Sequence, residues 1–561
     1  MSRPKLFLSL GLVLVWLTIH VGLSIAKNPP KERLVAPIGL TGATADYSPT
    51  RYNMQRLIVE SWKKLGIDAF NDPTKYEVMI ARTFRSKQFD VYIIDWSPML
   101  VRLEPNLFLH KLLHSQNAGW DGLNICGYQN AEYDKLADAQ KNAIDIKKRK
   151  ELVDACQAFI YERQPKHPLM HQKMHRAYNS KNFTKLELAP GSGPWSFWAS
   201  HSAVPVGKQR IFRSGGVADF KTINPVMASE ITDQYLLEHI YDFLMRIGTD
   251  GTPKPWAATG YKWLDDTTVE VTVREDMKFH DGKPVTMEDI TFSFEYCRKS
   301  GYLRTFLDNL TSVTVVGKNG LRLKLKEADA GFPLTVLCQV YILPKHIWSS
   351  IENPATFANT QPIGSGPFRF DHWRRDEELF LKSNKEHFFP PPNDGFLWVV
   401  YGNQEAIVGA MEQGTLDSCG SALLDPILAD KLRKNPDMTV VAPVSFGVLT
   451  LEYNTRWAPL NDAHFRRALS YAVPVQQMIN QVLNGNAVPA GAMISPENKF
   501  WHNNKLPSWP YDMEKAKQEL IKAGYEWDDQ GNLYYPAPEN DKRLIDTVDK
   551  YPKQPKTWGK K

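Results

Sequence analysis

The stretch LEHIYDFLMRIGTDGTPKPWAATGYKWLDDTTVEVTVREDMKFHDGKPVTMEDITFSFEY, residues 237–296, decides the fold because it holds three patterns in order. It begins inside a helical segment around 233–244, passes into the alternating run TTVEVTV at 267–273, and ends in a helix starting near Thr286. Alternation with period two marks a strand with one face buried. Between strand and helix, Phe279, His280, Asp281 and Gly282 read as a tight turn, with Gly282 supplying backbone freedom. Their role is therefore structural.

The same texture continues outward. Downstream lie LRLKLKE at 321–327, the strands FRF and LFLK after Pro367, a helix near 404–413 and a strand at 448–453. A helical pair then spans 465–483, with Pro474 placed to open its second member. Upstream, QRIFRS at 209–214 begins this texture, and the stretch from Ala189 to Gly207, with APGSGP and HSAVPVG, is the best linker candidate. Before it, 52–67 carries Ile58, Trp62 and Leu65 on one helical face, with Gly66 as the stop. Extended stretches follow at 77–81 and 91–94, the second an apolar run suited to a strand covered on both faces. Helices are expected near 131–143 and 146–163. The alternation of helix and strand is α/β in class.

A chain of 561 residues, 43% hydrophobic and 23% charged, fits a globular protein of two or three domains. Its net charge of +6 is local: Arg3 and Lys5 stand at the front, and residues 541–561 hold seven Lys or Arg against three Asp. The body between is neutral, which argues against a nucleic-acid footprint, and the tail reads as a solvated terminus. Arg3 and Lys5, the apolar run to Ile25, and the small residues Ser24 and Ala26 predict a secretory signal peptide, with Lys27 starting the mature chain. The run is near membrane-spanning length, so an uncleaved anchor is the competing reading. No lipid-carrying Cys follows the expected cleavage point.

Cys126, Cys156, Cys297, Cys338 and Cys419 are too few and scattered for a disulfide framework or a CxxC metal site. Cys156 falls on a buried helical face and reads as a small hydrophobe. His167, His171 and His175 recur every four residues, but Pro168 disfavours a helix there, and in a strand such residues lie roughly 13 Å apart, beyond one metal's reach. His110 and His114 share the spacing, with no third ligand visible. Neither a phosphate-cradling GxxxxGK[ST] nor a GxSxG elbow is present, and no ordered nucleophile, base and orienter emerges. No metal, cofactor or catalytic residue is expected.

With IGSGPFRF (363–370), EYNTRWAPLNDAHFRRALSYAV (452–473) and YDMEKAKQELIKAGY (511–525) following the opening stretch in order, the chain resembles the family 5 extracellular solute-binding proteins, the oligopeptide- and dipeptide-binding class of ABC importers. The resemblance implies an α/β, bilobal periplasmic-binding-protein fold of type II with an extra domain. KKLGIDAF (63–70), KQFDVYIIDWSPM (87–99) and the run 127–170 resemble that family's usual C-terminal portion, here placed first. A circular permutation is the implied reading, against a fusion of two partial homologues. The expected division is 1–26 signal peptide, 27–190 part of the second lobe, 191–208 linker, 209–255 with 351–400 first lobe, 256–350 extra domain, 401–536 remainder of the second lobe, and 537–561 basic tail.

The resemblance also implies a monomeric periplasmic component that captures a peptide or peptide-like solute between its lobes and delivers it to a membrane permease. A nickel chelate, sugar or opine carrier, and a secreted hydrolase, are the alternatives. Asp95, followed by Trp96, matches the position where peptide-binding members pair an aspartate with the ligand's α-ammonium; a turn or cap role is the competing reading. Ser365 and Gly366, within Gly364–Pro367, could offer backbone groups to an extended peptide. Tyr453 and Asn454 end a strand on the cleft side of the family fold.

Overall fold

The apolar run at Val91–Trp96 lies inside a six-stranded sheet. In this computed structural model, which describes residues 28–98 and 100–547, the strand order is Ala69–Thr74, Ile38–Ala43, Val91–Trp96, Val448–Tyr453, Lys166–Gln172, Ala487–Pro489. The first three strands are parallel and the rest pair antiparallel. The signal segment and most of the basic tail lie outside the described residues.

This sheet joins segments from the two ends of the chain. Val448 pairs with Trp96 and Tyr453 with Val91, although more than 350 residues of sequence separate the partners. Val91 and Ile93 face one way, into a core with Met54, Ile58 and Trp62 of the helix Pro49–Lys63 and with Phe465 and Leu469. Tyr92 and Ile94 face the other way, toward Phe108, Tyr133, Val153, Cys156 and Ile160. Burial on both faces is why this strand reads as continuous apolar sequence. At the centre, the Glu452 carboxylate is fully buried and meets the Lys166 ammonium, while Cys126 Sγ (3.0 Å), Trp96 Nε1 (3.2 Å) and Thr450 Oγ1 (2.9 Å) donate to it.

The rest of the chain builds a second cluster of sheets. One has the order Phe368–Arg374, Glu378–Ser383, Gly395–Val400, Ile211–Gly216; another, Ala258–Asp265, Thr268–Val273, Gly320–Leu325, Leu310–Val316. Val269, Val271, Leu321 and Leu323 share a core with Phe294 of the helix Met287–Lys299 and with Leu379, Phe396 and Trp398. The opening turn forms as expected, with Gly282 at φ +87°. Thr286 caps the following helix, its side chain accepting from Asp289 N while the Asp289 carboxylate accepts from Thr286 N. A short ladder, Arg176–Asn179 against Met438–Val441, packs with Ile407 and Met411, and Ser418 bridges both Tyr178 and Ser214. Residues near 404–441 therefore adjoin the strand Ile211–Gly216 as well as the chain's front portion.

Two local expectations change. The stretch 77–81 is helical, within Tyr76–Ile80 and the turn after it, because it pairs with no strand and buries Met79 alone of the Tyr76–Ile80 helix. The linker candidate is no free tether. It contains the helix Phe197–Ser202, capped by Ser196, with Phe197 packed under the Arg246 guanidinium and against Trp256.

Candidate functional site

In a mixed α/β sheet, ligands gather beyond the carboxyl ends of the parallel strands, where loops and helix starts converge. Here those ends belong to Ile38–Ala43, Ala69–Thr74 and Val91–Trp96. Tyr47 follows the first, Tyr76 the second, and Asp95 stands at the tip of the third. The Tyr47 and Tyr76 rings lie 5.3 Å apart and are 48% and 45% exposed, a large aromatic surface left open to solvent. Arg51, in the first turn of the helix capped by Ser48, lies over the Tyr47 ring at 5.7 Å.

Asp95 is reached by solvent yet surrounded by protein on its flanks. That confinement raises its carboxyl pKa above the ordinary value, and Arg51 and Arg102 oppose the rise through space. Arg102 is committed elsewhere: it lies over the Trp96 ring at 5.6 Å and donates to the Ser97 carbonyl and hydroxyl. Trp96 itself is buried, its indole N–H given to Glu452. It supports the rim from beneath.

The opposing wall comes from the other sheets. Lys111 lies 5.8 Å from the Phe306 ring centre, and Leu103 packs into the core of the second cluster of sheets. Behind Tyr302 and Phe306 opens a cavity walled by Trp195, Tyr235, Glu238 and Arg246. Burial raises the Glu238 carboxyl to about 7, although Arg246 is 3.3 Å away. An adjoining space of about 890 Å³ lies between Pro190, Asp250 and Thr252 on one side and Pro443, Glu497 and Phe500 on the other, a volume suited to a small ligand. Glu238 was missed by sequence reasoning; its one signal is an acid set among the apolar residues of a buried helix.

The structure does not bring the six expected residues together. Tyr453 and Asn454 are corrected to framework residues. Both are fully buried, the Tyr453 hydroxyl bonded to Ser470 Oγ at 3.0 Å and Asn454 Nδ2 donating to the Lys87 and Phe89 carbonyls. They also lie at the far end of the strand from Asp95, whose partner is Leu449. Ser365 and Gly366 lie in a turn tied to the framework: His280 N donates to the Gly364 carbonyl, its Nε2 to the Gly366 carbonyl, and a Cβ on Gly364 would meet the Ile240 carbonyl oxygen at 2.0 Å. Ser365 is buried, with no partner for its hydroxyl among the described residues.

His167 and His171 lie in a strand and bond Gln164 Oε1 and the Gly447 carbonyl, both at 2.8 Å. Ser200 and His239 touch at 2.6 Å, but both are fully buried and the imidazole's second nitrogen is spent on the Tyr235 carbonyl, so no substrate can reach them. All five cysteines are buried, and burial raises each thiol. His110 and His114 do acquire a third potential metal ligand, Asp138.

Residues 252–557, more than half of the chain, match the family described as bacterial extracellular solute-binding proteins, family 5 Middle. The oligopeptide-binding protein AppA of Bacillus subtilis is 26% identical over 325 residues, covering 55% of this chain and 59% of that protein. The probable D,D-dipeptide-binding periplasmic protein DdpA of Escherichia coli is 26% identical over 343 residues, covering 58% and 64%. The solved structure of Bacillus subtilis AppA with a nonapeptide is 23% identical, covers 60% of this chain and 68% of that one, and gives a TM-score of 0.43. The chain thus spans about three-fifths of the length of the curated relatives it matches. Among the described residues no helix is long and apolar enough to cross a membrane. From the match over 252–557, this chain belongs to the family 5 bacterial extracellular solute-binding proteins.

Proposed function

We propose that the chain is the solute-capturing component of an ABC importer, holding a peptide or peptide-like solute between its lobes and passing it to a membrane permease. The observation that carries this reading is the open rim of Tyr47, Tyr76, Arg51 and Asp95, set at the ends of three parallel strands. Aromatic faces take apolar side chains, Asp95 an ammonium, Arg51 a carboxylate. Two relatives are named for binding oligopeptides and a D,D-dipeptide, which agrees with that chemistry. The protein acts in the periplasm after cleavage behind Ala26, binds without catalysing, and works as a monomer.

A circular permutation accounts for the chain order in this reading. The support is the pairing of Val91–Trp96 with Val448–Tyr453 in one sheet. The front segment also returns to the late one: Val35 N donates to the Leu533 carbonyl, and Asn28 accepts from Asp529 N. Two partial homologues folding separately would not interleave in this way.

Calorimetry with short peptides, free and N-acetylated, tests the reading. Asp95→Ala should weaken binding of a free peptide by roughly thirtyfold to several thousandfold, the result of about 2–5 kcal/mol for leaving one partner of a confined charge pair alone. Acetylation should cost a similar factor in the parent and little in Asp95→Ala. Equal affinities throughout would remove the ammonium assignment.

A further inference from the structure

We propose that His110, His114 and Asp138 bind one divalent transition-metal ion of the zinc type, a site independent of the solute rim. His110 sits in the helical turn Leu107–Lys111, which is widened so that Leu112 N–H reaches the Leu107 carbonyl five residues back at 3.0 Å. Such widened turns recur at functional sites. The His110 and His114 rings stack with centroids 4.5 Å apart and planes 25° from parallel, which sets their Nε2 atoms side by side.

The helix Ala131–Asn142 then brings in the carboxylate. Asp138 Oδ1 lies 3.1 Å from His110 Nε2 and 3.2 Å from His114 Nε2, and all the ligand atoms fall within 4.8 Å of one another. In a tetrahedral zinc site, metal–ligand distances of about 2.0–2.2 Å hold neighbouring ligand atoms roughly 3.4 Å apart. The two nitrogen–oxygen distances are within a few tenths of an ångström of that spacing.

The state of His114 is the second observation. Its side chain is 10% exposed, yet Nε2 has no aligned hydrogen-bond partner among the described residues despite the nearby carboxylate. Facing the carboxylate without an aligned hydrogen bond, this nitrogen can turn a lone pair to a cation held between them. Its Nδ1 accepts from Gln116 N at 3.1 Å; metal at Nε2 moves the ring proton to Nδ1, exchanging that bond for one toward Asp134 Oδ1, 3.9 Å away. A carboxylate behind a metal-bound imidazole is a common orienting arrangement. Lys141, the nearest cation on the same helix, is paired with Glu327. Asp138 is 52% exposed, which leaves a way in and a vertex for water.

Titration of the untagged full chain with Zn2+ by calorimetry, and with Co2+ followed by visible absorption, tests the proposal. The expected result is one ion per chain and the strong visible band of four-coordinate cobalt. Asp138→Ala, whose side chain is half outside, should keep the thermal melt of the parent and weaken Zn2+ by about 100-fold or more; Asp134→Asn, an outer partner only, should weaken it by about tenfold. His114→Gln should abolish the cobalt band. Absence of stoichiometric binding, or binding unchanged in both Asp138→Ala and His114→Gln, would overturn it.

Discussion

In the proposed role, Asp95 carries opposite demands in the free and loaded protein. Its confinement raises the carboxyl pKa, so the folded chain holds that proton more firmly than the unfolded chain does. The stability it contributes is complete at pH below the ordinary carboxyl value and is lost as pH rises through the raised one. Asp95→Asn should therefore melt higher than the parent at pH 7, with the gap closing toward pH 4, while binding an ammonium-bearing peptide more weakly. Differential scanning calorimetry at both pH values checks the sign; a variant less stable at pH 7 would make Asp95 a structural residue. Asp95 stands out in sequence because an acid closing an apolar strand is conspicuous. Tyr453 and Asn454 misled because a strand's end looks alike whether it opens on a cleft or on a packed helix; only the register, with Tyr453 beside Val91 and not beside Asp95, tells the ends apart. Asp138 was invisible as a partner for His110 and His114, since helix docking and not local spacing brings it there.

At the scale of elements, the strands Lys166–Gln172 and Val448–Tyr453 are bound by more than backbone pairing. Lys166 and Glu452 form an ion pair with no exposed side-chain surface, and Glu452 also accepts from Trp96, Cys126 and Thr450. Removing one partner of such a pair leaves a buried charge alone and costs about 3–5 kcal/mol. Glu452→Leu should lose about that much in urea unfolding, and Glu452→Leu with Lys166→Met should recover most of it. Equal losses in single and double variants would mean that the cost is one of packing. The strands themselves were readable from alternation and apolar runs, and the turn at Gly282 from its residue types. The stretch 77–81 was not, because a short apolar run has no period long enough to separate helix from strand. The helix at Phe197–Ser202 was hidden by the Gly and Pro around it, although its Trp and Phe side chains pack into a core.

For the whole molecule, the proposed permutation makes the order of segments in the chain matter less than the sheets they build. Moving residues 28–190 behind residue 547, with a flexible linker between, should give a chain that folds to the same melting temperature within a few degrees and binds the same peptides. Loss of folding would favour the present order as a requirement of the fold. The family and its two-walled build could be argued from ordered phrases such as FHDG and IGSGPF, which the structure clips together through His280 and Gly366. The cavity of Trp195, Glu238 and Arg246 could not, since its walls come from segments far apart in sequence. Native mass spectrometry of the full chain, incubated with a defined mixture of two- to nine-residue peptides, tests solute capture most directly. The expected spectrum shows one intact peptide per chain, released unaltered on denaturation. A spectrum with no one-to-one complex for any peptide, or with peptides cut into fragments, would contradict it.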